Sequence, residues 1–221
     1  MRALVISDIH SNIVALESVI EATEFDCVLA CGDIVGYYLW PNEVIDCLRS
    51  LGATCVLGNH DYASITGDAS YFNPVAAEAV QRTRATLSPV SIEFLRSLPK
   101  SMTVEIGTKT VGMCHGSPRD PLFEYVYPKL VRDITFPSVN YFFMGHTHIP
   151  FSARVGSTTV ANPGSVGQPR DGDPRASALL FDSEKDLISH VRVSYDIAKV
   201  RMALAKKGLD EPLGARLSIG R

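Results

Sequence analysis

The sequence predicts an α/β fold built on parallel strand pairing, because short apolar runs alternate with segments of helical spacing through the first hundred residues. Composition supports a packed domain: of 221 residues, 46% are hydrophobic and 20% charged, enough to bury one substantial core. A third observation concerns position. Asp8, Asp33, Asn59, His115 and His146 each stand at or just past the end of an apolar run, and in open α/β sheets such residues meet in the crevice beyond the carboxyl ends of the strands.

Taken in order, Ala3–Ile6 reads as a buried strand and Asn12–Ala22 as a helix that Ser11 or Asn12 can cap. Val28–Ala30 is a second strand, Pro41–Leu51 a helix with proline in its first turn, and Thr54–Leu57 a third strand. Pro74–Leu87 and Val90–Leu98 are expected helices. Met102–Ile106 and Thr110–Cys114 flank Gly107-Thr108-Lys109 as a hairpin. Tyr141–Met144, Ser152–Val155, Thr158–Ala161, Ala178–Phe181 and Ile188–Val193 follow as short strands, then a helix from about Ile197 to Ala205. The turn-rich stretch from Asn162 to Pro174 is expected to be a surface loop, and the tail beyond Lys207 to be loosely ordered. With no composition break and no internal repeat, residues 1–221 are expected to form one domain.

A formal charge of −3 and a pI near 6.1 lack the basic excess of nucleic-acid binders, so a polynucleotide partner is disfavoured. No signal-peptide or membrane-spanning run is present, and a cytoplasmic location is expected. The five cysteines, Cys27, Cys31, Cys47, Cys55 and Cys114, are odd in number and sit mostly in apolar runs, which suits reduced, buried thiols.

The polar motifs at the strand ends carry the chemistry. Asp8 and His10 are two apart, as are His146 and His148, and in extended chain such pairs project to one side. Aspartate, histidine and asparagine form a mixed nitrogen and oxygen donor set suited to manganese, iron, zinc, cobalt or nickel. Asp8, His10, Asp33, Asn59, His115, His146 and His148 are more donors than one four-coordinate ion uses. Two divalent ions sharing Asp33 would employ them all. His190 lies outside these motifs and is expected to be an outward strand residue.

Asp8-Ile9-His10, Gly32-Asp33, Gly58-Asn59-His60-Asp61, His115-Gly116 and Gly145-His146-Thr147-His148 together resemble the signature of the calcineurin-like metallophosphoesterases, in order and in spacing. Asn162-Pro163-Gly164-Ser165 resembles the loop that follows it in small bacterial and archaeal members. The resemblance implies a four-layer α/β/β/α sandwich with a dinuclear site at its edge. It also implies a ligand division of Asp8, His10, Asp33 and His148 on one ion, and Asp33, Asn59, His115 and His146 on the other.

Two close cations would clamp a phosphoryl group and acidify a bridging water for in-line attack. His60, not needed as a ligand, is the expected general acid, with Asp61 orienting its ring. Asn12 at a helix start, and Arg119 and Arg170 on loops, are candidate phosphate contacts. Tyr37 and Tyr38 can be read equally as a base-stacking wall or as packing, while Trp40, just before a helix start, is read rather as packing. The substrate class expected is a small-molecule phosphodiester or phosphoanhydride, nucleotides and dinucleoside polyphosphates included. A serine/threonine protein phosphatase is the nearest alternative, and a catalytically silent scaffold like the retromer subunit is the alternative outside enzymology. An apolar edge could support a homodimer.

Overall fold

Strand β1 (Arg2–Ile6) alternates its side chains between two different cores. Ala3 and Val5 point to one, Leu4 and Ile6 to the other, and all four are fully buried. A strand covered on both faces reads as a continuous apolar run, which is why the sequence marks it so clearly. Asn12 caps helix α1 (Ile13–Glu21), its carboxamide oxygen accepting from the Ala15 N–H at 3.2 Å. Then follow β2 (Cys27–Ala30), α2 (Pro41–Ser50) and β3 (Thr54–Cys55).

A helical region comprises α3 (Asn59–Thr66), α4 (Pro74–Thr86) and α5 (Pro89–Ser97). The second half adds β4 (Ser101–Ile106), β5 (Lys109–Cys114), β6 (Tyr141–Phe143), β7 (Phe151–Val155) and β8 (Thr158–Asn162). It closes with β9 (Ala176–Asp182), β10 (Leu187–Val193) and α6 (Ile197–Ala205). The computed structural model describes residues 1–221, the side chain of Pro212 excepted.

The strands form two mixed five-stranded sheets, ordered β10-β9-β1-β2-β3 and β4-β5-β6-β8-β7. β1, β2 and β3 are parallel, as their helical crossovers require, with Leu4 opposite Val28 and Leu29 opposite Thr54. β5, β6 and β8 are parallel in the other sheet. The sheets face each other across Val5, Leu29, Val111, Met113, Phe143 and Phe181. Helices α1, α2 and α5 cover the outer face of the first sheet through Leu16, Val19, Ile45, Leu48 and Leu95. The outer face of the second is covered by Val126, Val131 and Ile134 from the β5–β6 connection, whose regular part is the single 3-10 turn Val131–Asp133. The α/β class and the two-sheet arrangement are as the sequence predicted.

Three local expectations change. β3 stops at Cys55 rather than Leu57, because the Leu57 N–H donates to Pro99 O at 2.8 Å and leaves the ladder. After that departure Gly58 caps the start of α3, which Gly67 ends at φ 80°. The stretch from Pro163 to Pro169 is buried rather than a surface loop, since it runs beneath the strand ends: Ser165 Oγ donates to Asp8 O at 2.7 Å and Gly167 N to Asp8 O at 3.0 Å. The tail beyond Lys207 is ordered. Its helical turns Asp210–Gly214 and Ala215–Ile219 bury Leu213 and Leu217 against Tyr38 and Val200. All five cysteines are free, and burial pushes the Cys55 thiol up to about 12. Among the described residues no helix is long and apolar enough to cross a membrane.

Candidate metal centre

The loops after β1, β2 and β6 bring their polar residues together through an unusual backbone. Asp8 (φ 52°), His10 (51°), Asp33 (51°), His146 (69°) and His148 (59°) all lie in the left-handed region. Non-glycine residues adopt this region only where their surroundings enforce it. Here the enforcement is a second ladder beyond the sheet: Asp8 N donates to Gly32 O at 3.1 Å, His10 N to Asp33 O at 3.0 Å and Ser11 N to Ile34 O at 3.0 Å. Alternation along an extended chain is therefore not what converges Asp8 with His10, or His146 with His148.

Seven side chains meet at this edge, all at most 6% exposed: Asp8, His10, Asp33, Asn59, His115, His146 and His148. The imidazoles show how they are poised. His10 Nδ1 lies 3.3 Å from Val35 O, His115 Nδ1 2.8 Å from Cys31 O and His148 Nδ1 2.5 Å from Gln168 O. A carbonyl only accepts, so each of these Nδ1 atoms carries the proton and each neutral ring presents a bare Nε2. His146 is reversed, with Nε2 3.2 Å from Phe123 O and Nδ1 left bare. The bare nitrogens face one another, His10 and His148 at 3.1 Å, His115 and His146 at 3.0 Å. Lone pair against lone pair is repulsive unless a cation lies between. A ring nitrogen fixed by a backbone carbonyl is the usual support of a metal-binding histidine.

The oxygens complete two groups. Asp8 Oδ1, buried without a hydrogen-bond partner among the described residues, lies 3.2 Å from His148 Nε2 and 3.9 Å from His10 Nε2. Asn59 Oδ1 lies 3.0 Å from His115 Nε2. Asp33 Oδ2 stands between the groups, 3.7 Å from His10 Nε2 and 3.3 Å from His115 Nε2. The donor set fits a pair of divalent ions, with Asp8, His10 and His148 on one side of Asp33 and His115 and His146 on the other.

Electrostatics point the same way. Burial favours neutral Asp33, yet the opposing charges of His115, His60 and His10 hold its carboxyl well below the usual range. Burial likewise works against a charged His115, but Asp33 raises it to about 9, so near neutrality a proton occupies its Nε2 and must leave before that nitrogen can bind an ion. The cluster thus holds fixed negative charge where a cation is wanted. Its space is as tightly set: a Cβ on Gly58 would lie 2.1 Å from both Asp33 N and Asp33 Oδ1. Gly58→Ala is therefore expected to destabilise the fold by about 1–3 kcal/mol and to lower bound metal. Thermal unfolding with metal analysis checks this, and an unchanged melting point and metal content would contradict that approach.

His60 differs from the other four histidines. Its Nδ1 is buried with no partner among the described residues, and aromatic rings hold it, Tyr37 at 4.7 Å and Phe72 at 4.6 Å between centroids. Asp61 does not orient this ring. Its carboxylate accepts from the backbone N–H groups of Gly58 (2.9 Å), Val35 (2.9 Å) and Ile34 (3.2 Å), so it ties the Asp33 loop to the start of α3.

The centre opens into a cleft of about 320 Å³. Of the candidate phosphate contacts, only Arg170 lines it. Asn12 is fully buried, capping α1 and donating to Gly167 O at 3.0 Å. Arg119 is paired with Glu124 on the surface outside the cleft. Tyr37 forms cleft wall, whereas Tyr38 is buried, accepting from Gln168 Nε2 at 3.0 Å, and Trp40 packs beside it. His190 is exposed on β10, as expected.

Sequence reasoning missed Tyr71, Phe72, Phe123, Tyr125 and Arg216, all of which line the cleft. The one signal of the four aromatics was their density in Tyr71-Phe72 and Phe123–Tyr127. Tyr125 stacks on His146 at 3.7 Å between centroids, and Tyr71 lies 5.4 Å from Phe123.

The profile of the calcineurin-like phosphoesterase superfamily domain matches residues 1–186. The uncharacterised protein MJ0912 of Methanocaldococcus jannaschii is 38% identical, over 98% of this chain and 97% of its own length. Among solved structures, a metallophosphoesterase from Sphaerobacter thermophilus superimposes with a TM-score of 0.87 at 39% identity, covering 100% of this chain and 99% of the other. The hypothetical protein PH1004 from Pyrococcus horikoshii has the same fold, with a TM-score of 0.86 at 22% identity over 100% and 98% of the two chains. With strand-end carboxylates and bare imidazole nitrogens gathered as a metal-dependent phosphoester hydrolase requires, the chain belongs to the calcineurin-like phosphoesterase superfamily.

Proposed function

We propose that this chain is a dinuclear phosphoesterase that hydrolyses a small-molecule phosphodiester or phosphoanhydride, with nucleotides and dinucleoside polyphosphates as the substrate class. The observation that carries this reading is Asp33 Oδ2 standing between two sets of bare imidazole nitrogens. Asp8, His10, Asp33 and His148 would hold one ion, and Asp33, Asn59, His115 and His146 the other, with manganese first among the candidates. When bound, such a pair supplies Lewis acidity toward a phosphoryl group and an acidified water.

The protein's own groups do the rest. His60, beside the donor cluster but not tied to a carbonyl, is placed to give a proton to the leaving oxygen. Tyr37 and Phe72 keep its ring from turning. Tyr71, Phe123 and Tyr125 offer apolar faces on which a base can stack, whichever base it is. Arg170 is positioned for a phosphate oxygen. A cleft of about 320 Å³ walled by aromatic rings favours a small substrate over a phosphorylated peptide. Because Arg216 of the tail reaches the same cleft as the strand-end residues, we read residues 1–221 as one domain.

The test is hydrolysis of an aryl phosphodiester and an aryl phosphomonoester by metal-free protein, before and after manganese is added, with metal counted alongside. Manganese-dependent turnover with about two ions per chain supports the reading, and the preferred ester narrows the substrate. No turnover and no bound metal would instead favour a scaffold.

A further inference from the structure

Two guanidinium groups share the ring of Tyr37. Arg170 Cζ lies 5.9 Å from the ring centroid and Arg216 Cζ 6.0 Å, and both side chains line the cleft that holds Asp33, His60 and His148. Some exposed arginines elsewhere pair with carboxylates, as Arg119 does with Glu124, Arg175 with Asp173 and Arg201 with Asp210, and others, such as Arg84 and Arg154, meet only backbone or hydroxyl oxygens. Among the described residues, neither Arg170 nor Arg216 is paired with an Asp or Glu side chain. Arg170 donates to Gln168 Oε1 at 2.8 Å and to Tyr37 Oη at 3.4 Å. Arg216 donates through Nε to Arg221 O at 2.6 Å. Gln168 and Tyr37 are neutral and leave the charge of Arg170 uncancelled, while the Arg216 bond uses Nε alone and leaves both its Nη atoms without a hydrogen-bond partner among the described residues.

Two cations over one ring repel each other where no anion stands between them. Burial and then the charge of Arg170 push the Arg216 guanidinium below its usual range. An anion between them removes that cost, and a phosphoryl group matches the planar fork of either arginine. Arg170 is tied directly to the metal centre, its backbone N–H donating to His148 O at 3.4 Å. Arg216 comes from the turn Ala215–Ile219, beyond residue 186 where the family profile ends.

We propose that Arg170 and Arg216 form an anion subsite for a second phosphoryl group, so that the preferred substrate carries at least two phosphates joined as an anhydride. This rests on the phosphoesterase reading and sharpens it. One phosphoryl group occupies the donor cluster, the next lies across the arginine pair, and a base reaches the aromatic wall.

The test needs no turnover. Calorimetric binding of methylenediphosphonate is compared with methylphosphonate, which bears one phosphoryl group, on the protein as purified and again after manganese is added. The diphosphonate is expected to bind at least about tenfold tighter. Arg170→Ala and Arg216→Ala should each weaken it about tenfold, the effect of losing one charge-assisted contact. Arg216→Lys should recover part of the loss, and Arg119→Ala should have no effect on binding. Equal affinity for the two phosphonates in both states overturns the subsite, as does Arg216→Ala binding like the wild type. An equal loss in Arg119→Ala would mean diffuse surface charge and would overturn it as well. A protein without esterase activity that still loses diphosphonate affinity in Arg216→Ala would retain the subsite and reject the hydrolytic reading. Manganese-dependent turnover with no effect of Arg216→Ala on binding would do the reverse.

Discussion

Asp33→Asn is expected to reduce bound metal at both positions and to cut turnover of an aryl phosphodiester at least about a hundredfold, the upper range for losing a mere supporting partner of a metal ligand. The reasoning is geometric. Asp33 Oδ2 is 3.7 Å from His10 Nε2 and 3.3 Å from His115 Nε2, so the one carboxylate serves both groups. Asparagine keeps the shape and can keep the bond in which Oδ1 accepts from the His60 N–H at 2.8 Å. What it loses is the charge, and it would turn an amide donor or a neutral oxygen toward imidazoles that present lone pairs. Removing a buried charge leaves the hydrophobic cores intact, so a far-UV spectrum like the wild type should accompany the loss. Metal counting, turnover and that spectrum check the prediction together. Two ions per chain with ordinary turnover would sink the shared-ligand arrangement, whereas loss of one ion with the other held would confine Asp33 to a single group.

Much of the donor cluster was legible because its residues are chemically conspicuous and follow buried strands that read as continuous apolar runs. Ala3 and Val5 face one core and Leu4 and Ile6 the other, and Asp8 comes two residues later. What could not be read was how the chain turns after the strand. The left-handed conformations of Asp8, His10 and Asp33 depend on a ladder between two loops far apart in sequence. Asp61 was legible as a polar neighbour of His60, but its carboxylate caps three backbone N–H groups, and that choice is settled by the loop beside it. The stretch after Asn162 looked exposed because glycine, proline and serine favour surface turns. Here those small residues let the chain pass under Asp8, where a Cβ on Gly167 would lie 1.9 Å from Ile9 O. Arg216 was hidden by irregular helical turns that anchor through Leu213 and Leu217 without a sustained period.

His60→Ala is expected to keep its metals and lose about 10²–10⁴-fold in turnover on esters with poor leaving groups, the range for removing a general acid. Metal retention follows from the tautomers. The four imidazoles that face the cluster each fix their other nitrogen on a backbone carbonyl, and His60 Nδ1 has no such partner. Burial, opposed by Asp33, pushes His60 down to about 4, so near neutrality the ring is uncharged before substrate enters. An anionic phosphoester beside it favours the protonated form that a leaving alkoxide needs. Nitrophenolate leaves without such help, so an aryl ester should suffer far less than an alkyl ester of the same phosphate. Turnover of matched alkyl and aryl esters by wild type and His60→Ala, with metal content measured in both, separates the roles. An equal loss on both esters would make His60 a positioning residue rather than the acid, and loss of metal would place it among the ligands, where its contacts with His10 and Asp33 also allow it to reach.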